Sequence, residues 1–389
     1  MEGKTLLYVV NAAEYFVSHR MPIALKAKEL GYSIHVASTD LTGSKSDAVE
    51  VIEKQGFIYH DIPLNRGGQN PVVELWSLLK LYGLMRKLSP DVVHLITIKP
   101  VLYGGLAARI SGVESVVAAV AGLGTIFMAE SSLARVRRWL VIRLLKVAFS
   151  APGFTAIFQN SDDRDVLLKR NVLNISQCEI IRGSGVQLSQ YPYTNEPTGV
   201  PVVVMASRLL RDKGVVEFFK AAEVLKQRNI EVEFRLIGDC DSGNPTSLTP
   251  LEAQAWGKKS AVKLLGYRSD IAVQYSAANI VCLPSYREGL PKSLVEAAAC
   301  GRAVITTDVP GCRDAIIPNK TGVLVPVKDA GLLADAIQAL LEAPEVRKKM
   351  GIEGRRLAES EFLIEKIVDQ HLRIYDKAFN APICGVGSL

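Results

Sequence analysis

The chain has 389 residues, of which 48% are hydrophobic and 22% are charged, and its formal net charge is +6. This length exceeds what one ordinary core accommodates, so the sequence predicts two domains of a globular protein. The positive balance is too small to indicate a nucleic-acid-binding protein, and no nucleic-acid-binding motif is present. We therefore expect no nucleic-acid partner.

The six cysteines form no C-x-x-C pair and have no histidine at zinc-binding spacing, which favours a reduced, cytoplasmic protein. The first residues, MEGKTLLYVV, combine one lysine with a short apolar run, so they predict a first strand and not a secretory signal. No uninterrupted apolar run reaches the ~18 residues that span a bilayer. We expect no membrane-spanning helix.

Short apolar runs rich in β-branched residues alternate with helical patterns along the first half of the chain. Helices are predicted at 20–31 and near 45–55. The predicted strands of this half lie at 5–10, 33–39, 57–63, 91–97, 115–121 and 154–160. Runs that are apolar at nearly every position are typical of parallel strands covered on both faces. The pattern predicts an α/β domain with a doubly wound parallel sheet.

The alternation is interrupted at 191–201 by prolines, polar residues and a glycine, and then it resumes. The predicted elements of the second half are strands at 202–207, 233–238, 262–266, 280–285, 303–308 and 322–327, a helix at about 214–229, and a helical tail at 329–380. We predict two doubly wound domains, at 1–192 and 200–364, with a C-terminal helix at 365–389 that packs back on the first. Ligands bind at the carboxyl ends of strands in such sheets, so two facing edges would form a central cleft.

The segment ASRLLRDKGV, residues 206–215, places Arg208 and Lys213 between a predicted strand and a predicted helix. A helix N-terminus offers unpaired N–H groups and the positive end of the helix dipole. Two added cations make this turn suited to a diphosphate, because arginine supplies a planar fork and lysine a point charge. No phosphate-binding loop or dinucleotide fingerprint lies nearby.

The segment PSYREGLPKSLVEAAACG, residues 284–301, places two glutamates eight positions apart. Glu288 precedes a turn whose backbone amides are positioned to face a ligand, and a carboxylate beside free amides suits sugar hydroxyls. Glu296 lies in the early part of the following predicted helix. There it would accept hydrogen bonds from both hydroxyls of a ribose, as the acidic residue of a dinucleotide site does.

These two segments together resemble the retaining family 4 glycosyltransferases of the GT-B fold. The resemblance rests on R-x-x-x-x-K-G at 208–214, on the two glutamates within SYREGLPKSLVEAAACG, and on GYRSDI and GCRDAI, and it covers about 200–325 strongly. It implies that Arg208 and Lys213 hold the donor diphosphate, that Glu288 and the amides after it hold the sugar, and that Glu296 holds the ribose. The further donor-binding residues that it implies are Gly289, Leu290, Arg268 and Asn244.

GDCDSGNP, residues 238–245, is similar to a bacterial subgroup that adds N-acetylhexosamines to undecaprenyl-diphosphate-linked acceptors. The resemblance implies a UDP-linked donor, a lipid-linked saccharide acceptor and a role in surface-polysaccharide assembly. It also implies front-face displacement without a metal or another cofactor. The DCD of this segment matches a metal-binding pattern by letter only.

The first half departs from the family at two places. NAAEYFVSHRMP, residues 11–22, stands where many members have a Gly-Gly loop, and Ile96 stands where many have a histidine. The remaining polar candidates on the acceptor side are His19, Arg20 and Lys99. His94 is interpreted as a core histidine. AGLGTIF resembles the acceptor-side loop of the subgroup, with Gly122 and Gly124 permitting a close backbone approach.

Residues 131–152 combine basic with apolar side chains in a helical pattern. The basic residues are Arg135, Arg137, Arg138, Arg143 and Lys146. Such a helix lies in an anionic membrane surface, gaining about 1 kcal/mol for each basic residue near the headgroups. We therefore expect a peripheral protein on the inner face of the cytoplasmic membrane.

Two other functions fit the same architecture. A non-hydrolysing sugar-nucleotide 2-epimerase would release its product without an acceptor. A non-catalytic, two-lobed sugar-binding protein of the periplasmic type would need an export signal, which the sequence does not contain.

Overall fold

A computed structural model of the protein describes residues 3–40, 46–64, 71–123, 132–151 and 153–380. The chain divides into two compact units: an N-terminal unit of Met1–Ile181 with Ile367–Leu389, and a C-terminal unit of Arg182–Lys366.

The N-terminal unit is built on a seven-stranded, parallel sheet with the strand order β3-β2-β1-β4-β5-β6-β7. The strands are β1 (Lys4–Val10), β2 (Tyr32–Ser38), β3 (Ile58–Asp61), β4 (Val92–Ile96), β5 (Ser115–Val120), β6 (Phe154–Phe158) and β7 (Cys178–Ile180). Its helices are α1 (Ala13–His19), α2 (Met21–Glu29), α3 (Asp47–Lys54), α4 (Pro71–Leu88), α5 (Ile98–Ser111), α6 (Ser132–Phe149) and α7 (Ser161–Leu168).

Alternate residues of the central strands point to opposite faces of this sheet. Leu7 and Val9 contribute to an apolar core that also contains Leu81 of α4 and Leu145 of α6. Tyr8 lies on the other face, where its ring packs edge-on against Phe16 of α1. Helices therefore cover both faces, and the predicted doubly wound architecture is confirmed for this unit.

The C-terminal unit has a six-stranded, parallel sheet with the order β10-β9-β8-β11-β12-β13. The strands are β8 (Val202–Ala206), β9 (Glu233–Ile237), β10 (Lys263–Leu264), β11 (Ile280–Leu283), β12 (Ala303–Thr307) and β13 (Gly322–Val325). The helices are α8 (Val215–Gln227), α9 (Pro250–Ser260), α10 (Ile271–Ser276), α11 (Lys292–Ala299), α12 (Ala330–Glu342) and α13 (Pro344–Glu361). This arrangement confirms a second doubly wound sheet.

The unit boundary lies after Ile181, earlier than the predicted end of the first domain at 192. The Ile181 N–H still donates to Phe158 O of β6, at 2.9 Å, whereas the Val186 N–H donates to Phe362 O of the C-terminal unit, at 2.8 Å. The last helix, α14 (Ile364–Asn380), belongs to the N-terminal unit from Ile367 onward. Residues 381–389 of the predicted C-terminal helix lie outside the described residues.

Two predicted helical segments differ from the structure. The helix predicted at 20–31 is preceded by α1, which the sequence did not predict, and α2 begins at Met21 because Pro22 fits only the first turn of a helix. The tail predicted at 329–380 forms three helices. One break falls at Ala343, because a residue before a proline disfavours the helical conformation.

Candidate functional site

The strand order of the C-terminal unit reverses between β8 and β11, which are neighbours in the sheet. Ligands of open α/β sheets bind at this switch point, outside the carboxyl ends of the strands. Arg208 and Lys213 follow β8, and Glu288 follows β11. The fold therefore places three residues from two separate segments of the sequence at the same edge of the sheet.

Lys213 and Glu288 form an ion pair at this point. Lys213 ends a short 3-10 turn, and its Nζ lies 2.5 Å from Oε1 of Glu288. The two loops are joined by their backbones, because the Tyr286 N–H donates to Asp212 O at 2.8 Å. Gly214 makes this approach possible: its φ is +75°, and a Cβ there would lie 2.1 Å from Pro284 O.

Arg208 is also paired with a carboxylate. Its Nη1 lies 2.5 Å from Oδ2 of Asp241, in the loop after the neighbouring strand β9. The loop is anchored by the Ser247 hydroxyl, which accepts from the Asp241 N–H at 2.8 Å. Sequence reasoning did not select Asp241, although its place after the strand next to β8 was a usable signal.

Asn244 and Arg268, both expected to contact the donor, have partners within their own loops. Asn244 Oδ1 accepts hydrogen bonds from the N–H and the hydroxyl of Thr246, each at 3.0 Å, and so stabilises the turn. Arg268 donates to both carboxylate oxygens of Asp270, at 2.8 and 2.7 Å. This contact lowers the pKa of Asp270 to about 2. Neither residue contacts Arg208 or Lys213 by a hydrogen bond or an ion pair among the described residues.

The turn after Glu288 is held by the turn after β12. The Glu288 N–H donates to Pro310 O at 3.2 Å. Gly311 has a φ of +82°, and a Cβ there would lie 2.4 Å from Glu288 O. Leu290 is buried in the apolar core, so only its backbone N–H is available for the expected role, whereas Gly289 has no side chain to obstruct the turn.

Glu296 lies on α11 and is almost fully buried, with 6% of its surface exposed. Its Oε1 accepts a hydrogen bond from the Tyr191 hydroxyl at 2.5 Å, and Lys292 Nζ lies 3.5 Å away. Burial raises the pKa of Glu296, and Lys292 and Tyr191 oppose that rise. Tyr191 had no signal in the sequence, because it lies 105 residues away in a segment without periodicity.

The acceptor-side candidates of the N-terminal unit occupy different environments. His19 stacks on Tyr15 with ring centroids 4.1 Å apart, and its Nδ1 lies 2.6 Å from the Ser18 hydroxyl. Lys99 Nζ lies 2.5 Å from Glu74 of α4. Gly122 has a φ of +106° just after β5, and Gly124 lies outside the described residues.

Arg20 is 98% buried, so its side chain is not exposed to a ligand in this structure. Its Nη1 donates to His19 O at 3.1 Å, and its Nε has no hydrogen-bond partner among the described residues. The positive charge of Arg20 opposes the rise in the pKa of Tyr8 that burial causes. At His94 and His371, this charge adds to burial in lowering the pKa. This position favours a structural role for Arg20.

His94 is a buried histidine on β4, as its sequence context predicted. Its Nδ1 lies 2.6 Å from the Tyr375 hydroxyl of α14, and its ring stacks on His371 at 5.7 Å. Burial, reinforced by the neighbouring His371 and Arg20, holds the pKa of His94 well below its usual value. Burial also lowers the pKa of His371 to about 3. No sequence pattern selects His371, because its partners come from distant elements.

Two further properties concern metals and membranes. In the described part of the chain, no three His, Cys, Asp or Glu side chains gather as a metal site would require. No helix found there is long and apolar enough to cross a bilayer. The basic segment 131–152 contains α6, on which Arg135, Arg137 and Arg143 are exposed.

Two family models match the chain. The model described as "Glycosyl transferase 4-like" matches residues 5–161, and the model described as "Glycosyl transferases group 1" matches residues 191–357. The first match lies in the N-terminal unit, and the second lies in the C-terminal unit that carries Arg208, Lys213, Glu288 and Glu296.

Similar proteins cover both units. The N,N'-diacetylbacillosaminyl-diphospho-undecaprenol alpha-1,3-N-acetylgalactosaminyltransferase of Campylobacter jejuni is 29% identical over 388 residues, 95% of this chain and 98% of that protein. The UDP-Gal:alpha-D-GlcNAc-diphosphoundecaprenol alpha-1,3-galactosyltransferase of Escherichia coli is 26% identical over 319 residues, 78% of this chain and 80% of that protein. The structure of sucrose-phosphate synthase from Thermosynechococcus elongatus superposes with a TM-score of 0.79 at 20% identity, covering 97% of this chain and 99% of that one. This last likeness concerns the fold.

Proposed function

We propose that this chain, which belongs to the family 4 glycosyltransferases of the GT-B fold, transfers an N-acetylhexosamine from a UDP-linked donor to a lipid-diphosphate-linked saccharide. The observation that carries the proposal is the ion pair of Lys213 and Glu288 at the switch point of the C-terminal sheet. It places a cation for the leaving group beside a carboxylate for the sugar. The names of the two relatives support the donor and acceptor classes.

The donor diphosphate is assigned to Arg208 and Lys213. Both side chains already form charge-assisted contacts with carboxylates, at 2.5 Å in each case. Phosphate oxygens accept the same kind of hydrogen bond, so a diphosphate would take the place of Asp241 and share Lys213 with Glu288. The hydrogen bond that the diphosphate would replace is the one that Nη1 of Arg208 donates to Oδ2 of Asp241.

The sugar and the nucleoside are assigned to the two glutamates. Glu288 and the turn at Gly289 would receive the sugar hydroxyls, since a carboxylate accepts and backbone N–H groups donate. Glu296 would accept from the ribose hydroxyls, with Tyr191 fixing the position of the carboxylate through the 2.5 Å hydrogen bond. Arg268 and Asn244 would contribute by shaping the loops around the donor.

The proposed reaction is a front-face displacement with retention of the anomeric configuration. The bond between the anomeric carbon and the diphosphate oxygen breaks while the acceptor hydroxyl oxygen bonds to the same carbon from the same side. The hydroxyl proton passes to the departing phosphate oxygen, so no protein base is required. Arg208 and Lys213 stabilise the negative charge that develops on the diphosphate, an effect that is usually large in enzymes.

The lipid-linked acceptor would be reached at the membrane surface, on the inner face of the cytoplasmic membrane. Three exposed arginines of α6, Arg135, Arg137 and Arg143, support this contact, because basic residues near anionic headgroups favour binding. Replacing Arg137, Arg138 and Arg143 with Gln is expected to release the protein from anionic vesicles. Transfer to a short-chain, water-soluble acceptor should continue.

The test is a transfer assay with UDP-N-acetylhexosamines, other UDP-sugars and GDP-sugars against an undecaprenyl-diphosphate saccharide. Product that forms only with an acceptor, and whose new linkage keeps the α-configuration by NMR, would support the proposal. Conversion of the donor sugar without an acceptor would identify a 2-epimerase, and nucleotide binding without turnover would identify a binding protein. The relatives named above are transferases, so they favour neither alternative.

A further inference from the structure

Helix α4 carries a stripe of exposed apolar side chains. The stripe consists of Val72, Leu75, Trp76 and Leu79, and more than half of the surface of each side chain is exposed. The spacing i, i+3, i+4, i+7 places all four on one face of the helix. The opposite face packs into the core through Leu81 and Met85. Apolar surface of this extent on one helix indicates an interaction site.

Helix α6 carries a second stripe of exposed apolar side chains on one face. It consists of Val136, Trp139, Leu140 and Val147, at positions i, i+3, i+4 and i+11, each with about half or more of its surface exposed. Helix α5 packs against both α4 and α6, so the two stripes belong to the same helical layer of the N-terminal unit. Each stripe contains a tryptophan with a cation over its ring: Lys80 over Trp76 at 5.7 Å, and Arg143 over Trp139 at 5.2 Å. Such pairs suit the boundary between hydrocarbon and headgroups.

The charge of helices α4, α5 and α6 indicates which kind of partner binds the two stripes. Helices α4, α5 and α6 contain ten Lys and Arg residues and one acidic residue, Glu74, which is paired with Lys99. A second copy of the chain on the same face would bring like charges together, which disfavours a symmetric dimer. An anionic lipid surface satisfies both the apolar stripes and the positive charge.

We propose that the stripe of α4 is a membrane-contact surface and that α4 and α6 together seat the N-terminal unit on an anionic bilayer. This inference rests on the proposed function and extends its membrane contact from α6 to a helix outside 131–152. All strands of the sheet are parallel, and α4 and α6 follow β3 and β5, so both helices begin at the carboxyl edge of the sheet. The bilayer would then lie beside the edge that carries Gly122.

The protein contains three tryptophans, Trp76, Trp139 and Trp256, which makes the surface directly observable. A Trp139→Phe/Trp256→Phe variant, with vesicles of equal parts phosphatidylglycerol and phosphatidylcholine, should show a blue shift of Trp76 emission and quenching by brominated lipids. A Trp76→Phe/Trp139→Phe variant retains Trp256 of α9, in the C-terminal unit, and should show neither change. Unquenched Trp76 on vesicles that bind the protein would overturn the proposal.

A second measurement uses co-sedimentation with the same vesicles. Leu75→Gln/Leu79→Gln should lower the association constant of the protein for the vesicles about tenfold or more. Leu251→Gln, at an exposed apolar site of α9, should not change this constant. Equal binding of the α4 variant and the wild type would contradict the inference. A concentration-dependent dimer that the α4 substitutions abolish would assign the stripe to a second copy instead. Activity with a short-chain acceptor tests the proposed function separately, because that reaction does not need the membrane.

Discussion

Lys213 and Glu288 lie 75 residues apart in the sequence, and their side chains meet at 2.5 Å where the C-terminal sheet reverses its strand order. Both side chains are largely buried, so the pair lies in an environment where charge interactions are stronger than in water. A leaving diphosphate that approaches Lys213 would meet a cation whose position is already fixed by Glu288.

Lys213→Ala is expected to lower kcat more than it raises KM for the donor. The reason is that the lysine acts on charge that develops in the transition state, and loss of one such contact costs a factor of about 100 or more. Arg208→Lys is expected to lower kcat at least about tenfold, because a point charge does not reproduce a two-pronged contact. Steady-state kinetics measure both effects. Normal turnover of the Lys213→Ala enzyme would rule out this mechanism.

Substitution of the two glutamates should separate sugar from nucleoside recognition. Glu288→Gln should remove most transfer activity and leave the Kd for free UDP nearly unchanged, because Glu288 is assigned to the sugar. Glu296→Gln should raise the Kd for UDP, since Glu296 is assigned to the ribose. Calorimetry with UDP measures both constants, and the opposite pattern would exchange the two assignments.

Chelation of metal ions tests whether Arg208 and Lys213 are sufficient to stabilise the leaving diphosphate. Wild-type activity should persist in EDTA, because Arg208 and Lys213 would stabilise the diphosphate without a metal ion. Initial rates measured before and after addition of EDTA decide the point. An enzyme that EDTA inactivates and manganese restores would require a metal in the mechanism.

Gly311→Ala should displace the turn at Glu288. A Cβ at 311 would lie 2.4 Å from Glu288 O and 2.5 Å from Gly289 O, in a backbone conformation with a φ of +82°. We expect a loss of about 1–3 kcal/mol in stability and a clear loss of kcat. Gly199→Ala is the matched control, because its φ is +94° and nothing lies within 4 Å of an added Cβ. Similar activity losses in both variants would show that backbone strain alone, and not the contact with the turn, is responsible.

The buried histidines predict a loss of stability in acid. The pKa values of His94 and His371 are lowered in the folded protein. Their contribution to the free energy of unfolding is therefore complete above the pKa of about 6.5 that a histidine has in the unfolded chain, and it is lost as the pH falls below that pKa. The loss is about 1.4 kcal/mol per pH unit for each histidine until its folded pKa is reached, which for His371 is about 3.

Urea unfolding at pH 7 and pH 5 measures this loss. In a Trp256→Phe background, tryptophan fluorescence reports the N-terminal unit, which contains Trp76 and Trp139. His371→Gln should make stability less dependent on pH, because the lowered pKa of this buried histidine is then absent. Burial also lowers the pKa of His35 and His60, so part of the dependence should remain. An unchanged pH dependence in His371→Gln would contradict the assignment.

The alternation of apolar runs and helical patterns was sufficient to predict two doubly wound sheets, because burial of a parallel strand on both faces requires apolar residues at nearly every position. The same local information predicted that Arg208, Lys213 and Glu288 follow strands, and the reversal of strand order then brings them together. Their roles in catalysis stay predictions until the variants are measured.

Only the tertiary structure decided which partners these residues have. Asp241 beside Arg208, Tyr191 beside Glu296, and His371 against His94 are contacts between elements 33, 105 and 277 residues apart, and no local pattern encodes them. The same holds for the exposed stripe of α4, because periodicity indicates an apolar face but not whether a neighbouring element covers it. Local propensity acts over a few residues, whereas burial and pairing depend on the packing of the whole unit.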